Sequence, residues 1–536
     1  MVLVDKKLLE NVPREVISLR ILCYGLILSF SGFLHGLNTA NISGVMSMKS
    51  FQKYFGLNSM GKLEVSNLEG WITACLLLGS CAGALIASPM SERLGRKTSL
   101  QIISVCYIIA AILMTVEPHG SGGIAMLIVG RVISGASSGA ASVAGTAFIA
   151  EIAPKAIRGG LSALYNANTM FGVSLAYWIN YGALLNISSK SNAQWQVPMA
   201  MQTLPGIILF GGLFALPESP RWLASKDRVD EARQSLHKLR KLSLDHPFLQ
   251  EELSEIAEAR LVNLEQPKGL DLSRFSQVPN LMKRMVLVCL IQTFFQFSGG
   301  NIITYYNTTI LNSIGFTDPK INYLFSGIYG LVKVISVLCY CLYFVDNYGR
   351  RPLLWAGSSI IVVTLTYMTI YLGALAELNS SASKAAGWAA IVAIYLYAIG
   401  YAISWATVPW IINAEVFPMS VRAPCMALTI TWQYLVNFAL TRAMPNMLTA
   451  MHTYGPFALF ASATAVGAIY SFFAFPETKG MNMTDIDRLF EVPWYKVGKH
   501  SLEMKKSETE HAQDDAAAHS HKIASTGISS QHCEHV

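Results

Sequence analysis

The chain has 536 residues, 52% hydrophobic and only 14% charged, against roughly 25% charged in an ordinary soluble domain, and a single water-soluble core does not cover that much apolar surface. The net charge of +7 is spread over short segments between apolar runs rather than gathered with aromatics on one face, which argues against a nucleic-acid partner. The nine cysteines, among them Cys23, Cys75, Cys81, Cys106, Cys289, Cys339 and Cys341, fall mostly inside apolar runs at no ligand spacing, so neither a disulfide framework nor a metal site is indicated.

A polar segment with Lys6, Lys7, Arg14 and Arg20 comes first, and the apolar run behind it is too long for the core of a cleaved signal. It reads as a first membrane span. Apolar runs of about 20 residues then give about 12 spans, with cores near 20–45, 68–90, 99–117, 124–150, 161–185, 196–216, 285–312, 323–345, 353–375, 387–413, 424–446 and 455–475. The expected fold is an all-α membrane protein of two six-helix halves, 20–216 and 285–475, behind a cytoplasmic N-terminus at 1–19. The charged linker 217–284 contains helix-like stretches such as VDEARQSLHKLRKL. The tail 476–536 turns polar and is expected to be largely disordered after about 492. Its scattered His511, His519, His521, His532 and His535 read as solvated rather than metal-binding.

The fourth span, GRVISGASSGAASVAGTAFIAEIAPKAIR, places small residues at helical spacing (Gly135, Gly139, Ser142) and ends in Glu151, Pro154 and Arg158. Small residues at that spacing let helix backbones approach closely, which is packing rather than binding. The ending recurs in the second half as Glu415, Pro418 and Arg422. Gly95-Arg96-Lys97 is likewise answered by Gly349-Arg350-Arg351, and Pro217-Glu218-Ser219 by Pro476-Glu477-Thr478. Three correspondences in one order indicate two homologous halves. Arg93, Arg96, Lys97, Lys155, Arg158, Arg350, Arg351 and Arg422 fall on one side of the spans, with the N-terminus and the linker, so both ends are expected in the cytoplasm. Two of the opposite loops carry sequons, at Asn186 and Asn379.

These motifs resemble the sugar porters of the major facilitator superfamily, from about Gly32 to Glu491. The resemblance rests on GALIASPMSERLGRK, the stretch from Gly130 to Arg158, PESPRWL, QFSGGNIITYY, VPWIINAEVFPMSVR and PETKG, in order. The second half, with VDNYGRRPLLW and the ending IDRLFE, is most similar to fungal quinate and related permeases. The resemblance implies a major facilitator fold and carriage of a sugar or sugar-like solute by alternating access at the plasma membrane.

It also implies solute contacts at Asn166, Gln292, Gln296, Asn301, Trp410 and Gln433. The residues suit that role independently, because an amide offers both a donor and an acceptor to a hydroxyl. Gln292 and Gln296 lie one helical turn apart, Asn301 follows Gly299-Gly300 where a helix can break, and Trp410 follows Pro409 and can stack on a ring face. A lone amide or Trp in a span more often serves as glue between helices. The sequence departs from the family where Asn166 replaces a glutamine, where Phe295 replaces the first of a glutamine pair, and where Gln433-Tyr434 replaces Asn-Trp. Asn38 stands where proton-coupled relatives carry aspartate, and an amide does not titrate.

Inside the spans the ionisable residues are Arg131, Lys333 and Arg442, with His35, and no carboxylate lies away from the ends. A charge at mid-span normally has a partner or faces water. Lys333 shows no evident protein partner, and two readings stay open: it meets the carboxylate of a sugar acid, or it bonds backbone carbonyls or lines a wet cavity. Three residues bear on proton coupling: Arg131 is part of the family pattern, Asn38 replaces the aspartate, and His35, three residues before Asn38, is either a proton carrier or a hydrogen-bonded helix residue. Glu92, Arg93, Arg96, Glu151, Arg158, Asp346, Arg350, Glu415 and Arg422 place complementary charge at the cytoplasmic span ends of both halves. Carboxylates at matched positions point to an ion-pair gate, since topology anchoring alone explains only the cations. No cofactor motif is present, and nothing resembles an enzyme's carboxylate cluster. The expected function is facilitated diffusion of a monosaccharide or polyol. Proton-linked uptake of a sugar acid such as quinate or galacturonate, and a non-transporting nutrient sensor, are the alternatives.

Overall fold

The computed structural model describes residues 13–116, 121–154, 157–264, 280–344, 348–375, 381–418, 421–478, 483–504 and 506. Asp346, the sequon residue Asn379 and the tail histidines lie outside the described residues.

Among the described residues, twelve helical stretches match the expected spans. In the first half they are α1 (Leu19–Ser47), α2 (Lys62–Leu94), α3 (Arg96–Thr115), α4 (Ser121–Ile152), α5 (Arg158–Asn186) and α6, which is split into Ala193–Ala200 and Thr203–Leu213. In the second half α7 is in three pieces, Leu281–Phe297, Gly300–Tyr305 and Asn307–Ser313. It is followed by α8 (Pro319–Cys339), α9 (Arg350–Ile370), α10 in two pieces (Ser381–Ile403 and Val408–Glu415), α11 (Arg422–Ala450) and α12 (Gly455–Ala474). Nine helical segments among the described residues are long and apolar enough to cross a bilayer on length and composition alone. The spans that fall short are α5, α6 and α11. α6 is broken into short pieces, while α5 and α11 interrupt their apolar runs with amides and, in α11, with Arg442.

Those polar interruptions have a structural reason. α11 packs on α2 and α5 packs on α8, so both belong to the seam between the halves, where polar side chains find partners instead of lipid. Within the first half α2 and α4 approach very closely. A Cβ on Gly135 would fall 2.0 Å from the carbonyl oxygen of Leu76, and one on Gly139 would fall 2.2 Å from that of Ser80. The spacing of small residues in the sequence is therefore packing.

At the end of the spans that carries the Gly-Arg motifs, the two halves are built alike. The backbone N–H groups of Arg96 and Lys97, opening α3, donate to Glu218 Oε1 at 3.0 and 3.2 Å. Those of Arg350 and Arg351, opening α9, donate to Glu477 at 3.0 and 3.1 Å. Each Pro-Glu-Ser/Thr motif thus supplies a carboxylate that satisfies the unpaired N–H groups at a helix start and sits at the positive end of its dipole.

The linker forms helices Pro220–Ser225, Val229–Arg240 and Pro247–Leu264. It is tied to the first half by Arg240, which pairs with Glu252 and donates to the carbonyl of Ile152 at 2.8 Å. The described residues run on from 483 to 504. The helical turn Trp494–Lys496 leads into a segment where Val497 and Ser501 are buried, and Ser501 Oγ accepts from the backbone N–H of Glu477 at 3.0 Å.

Hydrogen bonds between the halves gather at the opposite end, called here the far end. Ser43 and Ser47 on α1 bond Thr308 on α7 at 3.1 and 2.9 Å, and Tyr323 on α8 donates to the carbonyl of Gly44 at 2.5 Å. Arg442 and Asn446 on α11 donate to Asn67 Oδ1 on α2 at 3.2 and 3.0 Å. Deeper, Tyr177 on α5 donates to the carbonyl of Thr304 at 2.6 Å.

Candidate functional site

The amides expected to contact solute collect on the second half. Gln292 and Gln296 are buried on the first piece of α7, where their spacing of one turn puts both on the face turned inward. The helix stops at Ser298, and Gly299 takes φ 85°, a left-handed conformation that costs glycine nothing. The break brings the next piece back so that Asn301 Nδ2 donates to Gln296 Oε1 at 3.0 Å. Across from it, α10 also breaks, and Gln292 Nε2 reaches the carbonyl of Pro409 at 3.5 Å, next to the half-buried Trp410. Gln433 on α11 is 3% exposed. Five of the six expected residues therefore lie on the three helices α7, α10 and α11. Asn166 sits apart on α5, half-buried, and makes no hydrogen bond to the others among the described residues.

These amides have unused hydrogen-bonding capacity. Gln292 Oε1, Gln296 Nε2 and Gln433 Oε1 are buried with no hydrogen-bond partner among the described residues. A buried amide atom left unpaired costs about 1–3 kcal/mol, so several on neighbouring helices indicate a surface made to pair with something polar. On α7 and α10 two further amides not singled out from the sequence share the property: both side-chain atoms of Asn307, at the start of the third piece of α7, and Nδ2 of Asn413 on α10. Asn413 Oδ1 accepts from Thr429 at 2.7 Å, which fixes which way the amide points. Asn437, buried one turn beyond Gln433, accepts from Thr441 at 3.1 Å. Spacing of four from Gln433 was the available signal for Asn437; for Asn307 it was the second interruption after the paired tyrosines.

Arg131 and Asn38 meet directly. Nη1 donates to Asn38 Oδ1 at 3.0 Å and to its carbonyl at 3.2 Å, while Nε donates to the carbonyl of Ile72 at 3.1 Å. The guanidinium is fully buried and these partners are neutral oxygens. His35 does not join this group: its ring lies 6.3 Å from that of Tyr434 on α11, edge to face, and its Nδ1 is buried with no hydrogen-bond partner among the described residues.

Lys333 gains its contacts from the fold. The sequence shows no partner for it, but the fold supplies one: Nζ donates to Thr304 Oγ1 at 2.8 Å and lies 5.5 and 5.4 Å from the ring centres of Tyr329 and Tyr401. A hydroxyl and two aromatic faces stabilise an ammonium without a carboxylate. Aromatic side chains at these distances are not visible as partners from spacing along the chain.

The charged residues at the motif end pair within each half. Arg96 and Glu151 are 2.9 Å apart, joining α3 to α4, and Arg350 and Glu415 are 3.2 Å apart, joining α9 to α10. Glu415 also accepts from Thr478. Arg422 Nε donates to the carbonyl of Phe417 at 3.1 Å, Arg158 Nε is buried without a hydrogen bond among the described residues, and Glu92 and Arg93 are exposed. The matched pairs join matched helices within each half.

A family profile described as "Sugar (and other) transporter" matches residues 24–490. A probable quinate permease of Neosartorya fischeri is 32% identical over 490 residues, covering 89% of each chain. The hexose transporter 2 of Kluyveromyces lactis is 32% identical over 506 residues, covering 92% of this chain and 86% of its own. Among solved structures, the xylose transporter XylE of E. coli in a partially occluded inward open conformation superposes with a TM-score of 0.72 at 24% identity, covering 87% of this chain and 100% of the other.

Proposed function

This chain belongs to the sugar transporter family, and we propose that it carries a polyhydroxylated solute, a monosaccharide or polyol, across the plasma membrane by facilitated diffusion. Family membership makes it a transporter of sugar-like solutes and not an enzyme. Its orientation, substrate and mode of coupling are the proposal.

One observation carries the substrate class. Buried amides with unpaired donors and acceptors lie at the breaks of α7 and α10 and on α11. A ring of hydroxyls matches such a surface, because every hydroxyl both gives and takes a hydrogen bond. Discontinuous helices near mid-membrane are where carriers of this kind bind their cargo. Trp410 supplies the apolar face against which ring C–H groups pack.

Facilitated diffusion is supported by the bond between Arg131 and Asn38, since no proton is bound or released by an amide there. With the basic span ends in the cytoplasm, both termini are cytoplasmic. The far-end hydrogen bonds then close the outer mouth, leaving the amide surface to communicate with the inside. The test is uptake of labelled glucose, xylose, inositol, quinate and galacturonate into proteoliposomes, with and without an inward proton gradient. Equilibration of a neutral solute regardless of the gradient is the expected result. Binding without flux of any solute would make the protein a sensor.

A second reading is favoured by Lys333, a buried ammonium whose described contacts include no carboxylate. It is uptake of a sugar acid, with His35 as the proton carrier, and relatives named quinate permease share about a third of this sequence. An anion entering against an inside-negative potential loses about 2.3 kcal/mol per 100 mV, so this reading requires accumulation that depends on the gradient.

A further inference from the structure

At the far-end seam Arg442 of α11 meets the first turns of α2, the stretch that also carries Glu69, and the transport site uses neither. Arg442 is one turn before Asn446 on α11, and both donate to the same acceptor, Asn67 Oδ1, on the first turns of α2. The guanidinium also lies 4.9 Å from the ring centre of Trp71, on the same helix as Asn67. Gly70 admits the close approach: a Cβ there would fall 2.9 Å from the Arg442 carbonyl oxygen and 3.0 Å from Nη1. Three consecutive features of α2 thus receive a single arginine from the other half.

Packing alone does not call for that arginine. α5 and α11 both begin at the repeated arginine and both have 29 residues. The register that carries Arg158 onto Arg422 carries Trp178 onto Arg442. Trp178 does the same steric work at the other seam, where it fills the space over a glycine of α8: a Cβ on Gly327 would fall 3.0 Å from its ring. One seam is closed by an apolar side chain over glycine and the other by a cation over glycine. An apolar contact loosens gradually as helices tilt, whereas directional hydrogen bonds from a guanidinium are made or broken.

We propose that Arg442 and Asn67 form the outer latch of the carrier, a pair of gating residues that holds the far mouth shut in this state and must part once in every transport cycle. The proposal rests on the alternating-access reading above. When α2 and α11 separate, the guanidinium exchanges the Asn67 oxygen and the Trp71 face for water, so the latch sets the balance between the two states without touching solute.

Opposite substitutions should move that balance in opposite directions. Arg442→Gln removes the charge. Asn67→Asp gives the arginine a carboxylate, and charge-assisted bonds of that kind are roughly twice as strong as neutral ones. Hydrogen–deuterium exchange of the purified full chain in nanodiscs reads the two helix ends directly, at residues 62–72 and 440–451. Arg442→Gln should exchange there about tenfold faster than the native protein, the factor expected for losing one charged hydrogen bond, and Asn67→Asp should exchange slower. Turnover should fall in Asn67→Asp, because an over-stable latch delays opening, while the apparent affinity for solute in equilibrium binding changes less than turnover. Exchange that changes in the same direction in both variants, or changes equally at the motif end of the spans, overturns the latch and makes the pair ordinary structural contacts. Native protein that binds solute but moves none would overturn the transport reading instead, whichever way the helix ends exchange.

Discussion

The Arg131 guanidinium spends two of its hydrogen bonds on Asn38, at 3.0 Å to the side chain and 3.2 Å to the backbone, in a pocket where both residues are fully buried. The pair is held together by a neutral acceptor, so nothing at this point changes charge during the cycle. If uptake is facilitated diffusion, as proposed above, it should be unaffected by a protonophore. Asn38→Asp places a carboxylate against the same guanidinium, and the ion pair must be disrupted whenever the surrounding helices rearrange. Uptake by that variant should drop about tenfold near neutral pH, in line with an added charge-assisted bond. Initial rates in proteoliposomes across pH 5 to 8 provide the check.

The α7 amides predict a graded loss of affinity. Gln292, Gln296 and Asn301 each offer at most a few hydrogen bonds to solute, and removal of one such bond costs about 0.5–1.5 kcal/mol. Alanine at Gln292 or Gln296 should raise KM by up to about tenfold with modest change in maximal rate, since the lost contact acts on binding. Alanine at Asn301 should do more. It also frees Gln296 Oε1, so the effects at 296 and 301 should fail to add, and the double variant should be no worse than about the stronger single one. Uptake kinetics of the two singles and the double measure that coupling.

The matched ion pairs make a prediction about independence. Arg96–Glu151 and Arg350–Glu415 lie in different halves, each pair joining helices of its own half. Both are partly screened by solvent, their side chains being 15% to 29% exposed. Neutralising either glutamate to glutamine should cost about 1–2 kcal/mol of stability, below the cost of breaking a fully buried pair. A double-mutant cycle on one pair should show coupling. A cycle between Glu151 and Glu415 should be additive within about 0.5 kcal/mol. Thermal unfolding in detergent distinguishes the two, and strong coupling between the halves would turn the braces back into the gate expected from the sequence.

How far the sequence carries can be seen residue by residue. The spans were legible because length and apolar content decide them, and the repeat was legible because Arg96, Glu151 and Arg158 recur in order as Arg350, Glu415 and Arg422. The amides of α7 were legible too, through helical spacing and the two glycines that break the helix. What spacing does not reveal is which helices face each other. Glu218 and Glu477 stand in the sequence only as members of a repeated motif, yet they cap α3 and α9 from more than a hundred residues away. The contact between Arg442 and Asn67 joins the two halves, and Lys333 finds Thr304 and two tyrosines only once α7, α8 and α10 are packed. Long-range partners of polar residues were the missing information in every case.

Lys333 gives the last prediction. The residue is 2% exposed, and its ammonium has Thr304 Oγ1 at 2.8 Å and the rings of Tyr329 and Tyr401 around it. Thr304 is also the residue whose carbonyl accepts from Tyr177 of the first half, so the lysine braces the inter-half seam from behind. Methionine has a similar length and flexibility and no charge to desolvate, and replacing a buried charge with an apolar side chain of like volume is often neutral or stabilising by about 1–4 kcal/mol. Lys333→Met should therefore fold, with a melting temperature equal to or above that of the native protein. If the lysine serves only as a brace, uptake of xylose and of quinate should change together and the ratio of the two should stay at its native value. A loss confined to the acid, tenfold or more with xylose uptake preserved, would show that the ammonium meets the carboxylate of the solute and would move the assignment from a sugar or polyol to a sugar acid. Competition between the two solutes in one proteoliposome preparation fixes that ratio without depending on the amount of active protein.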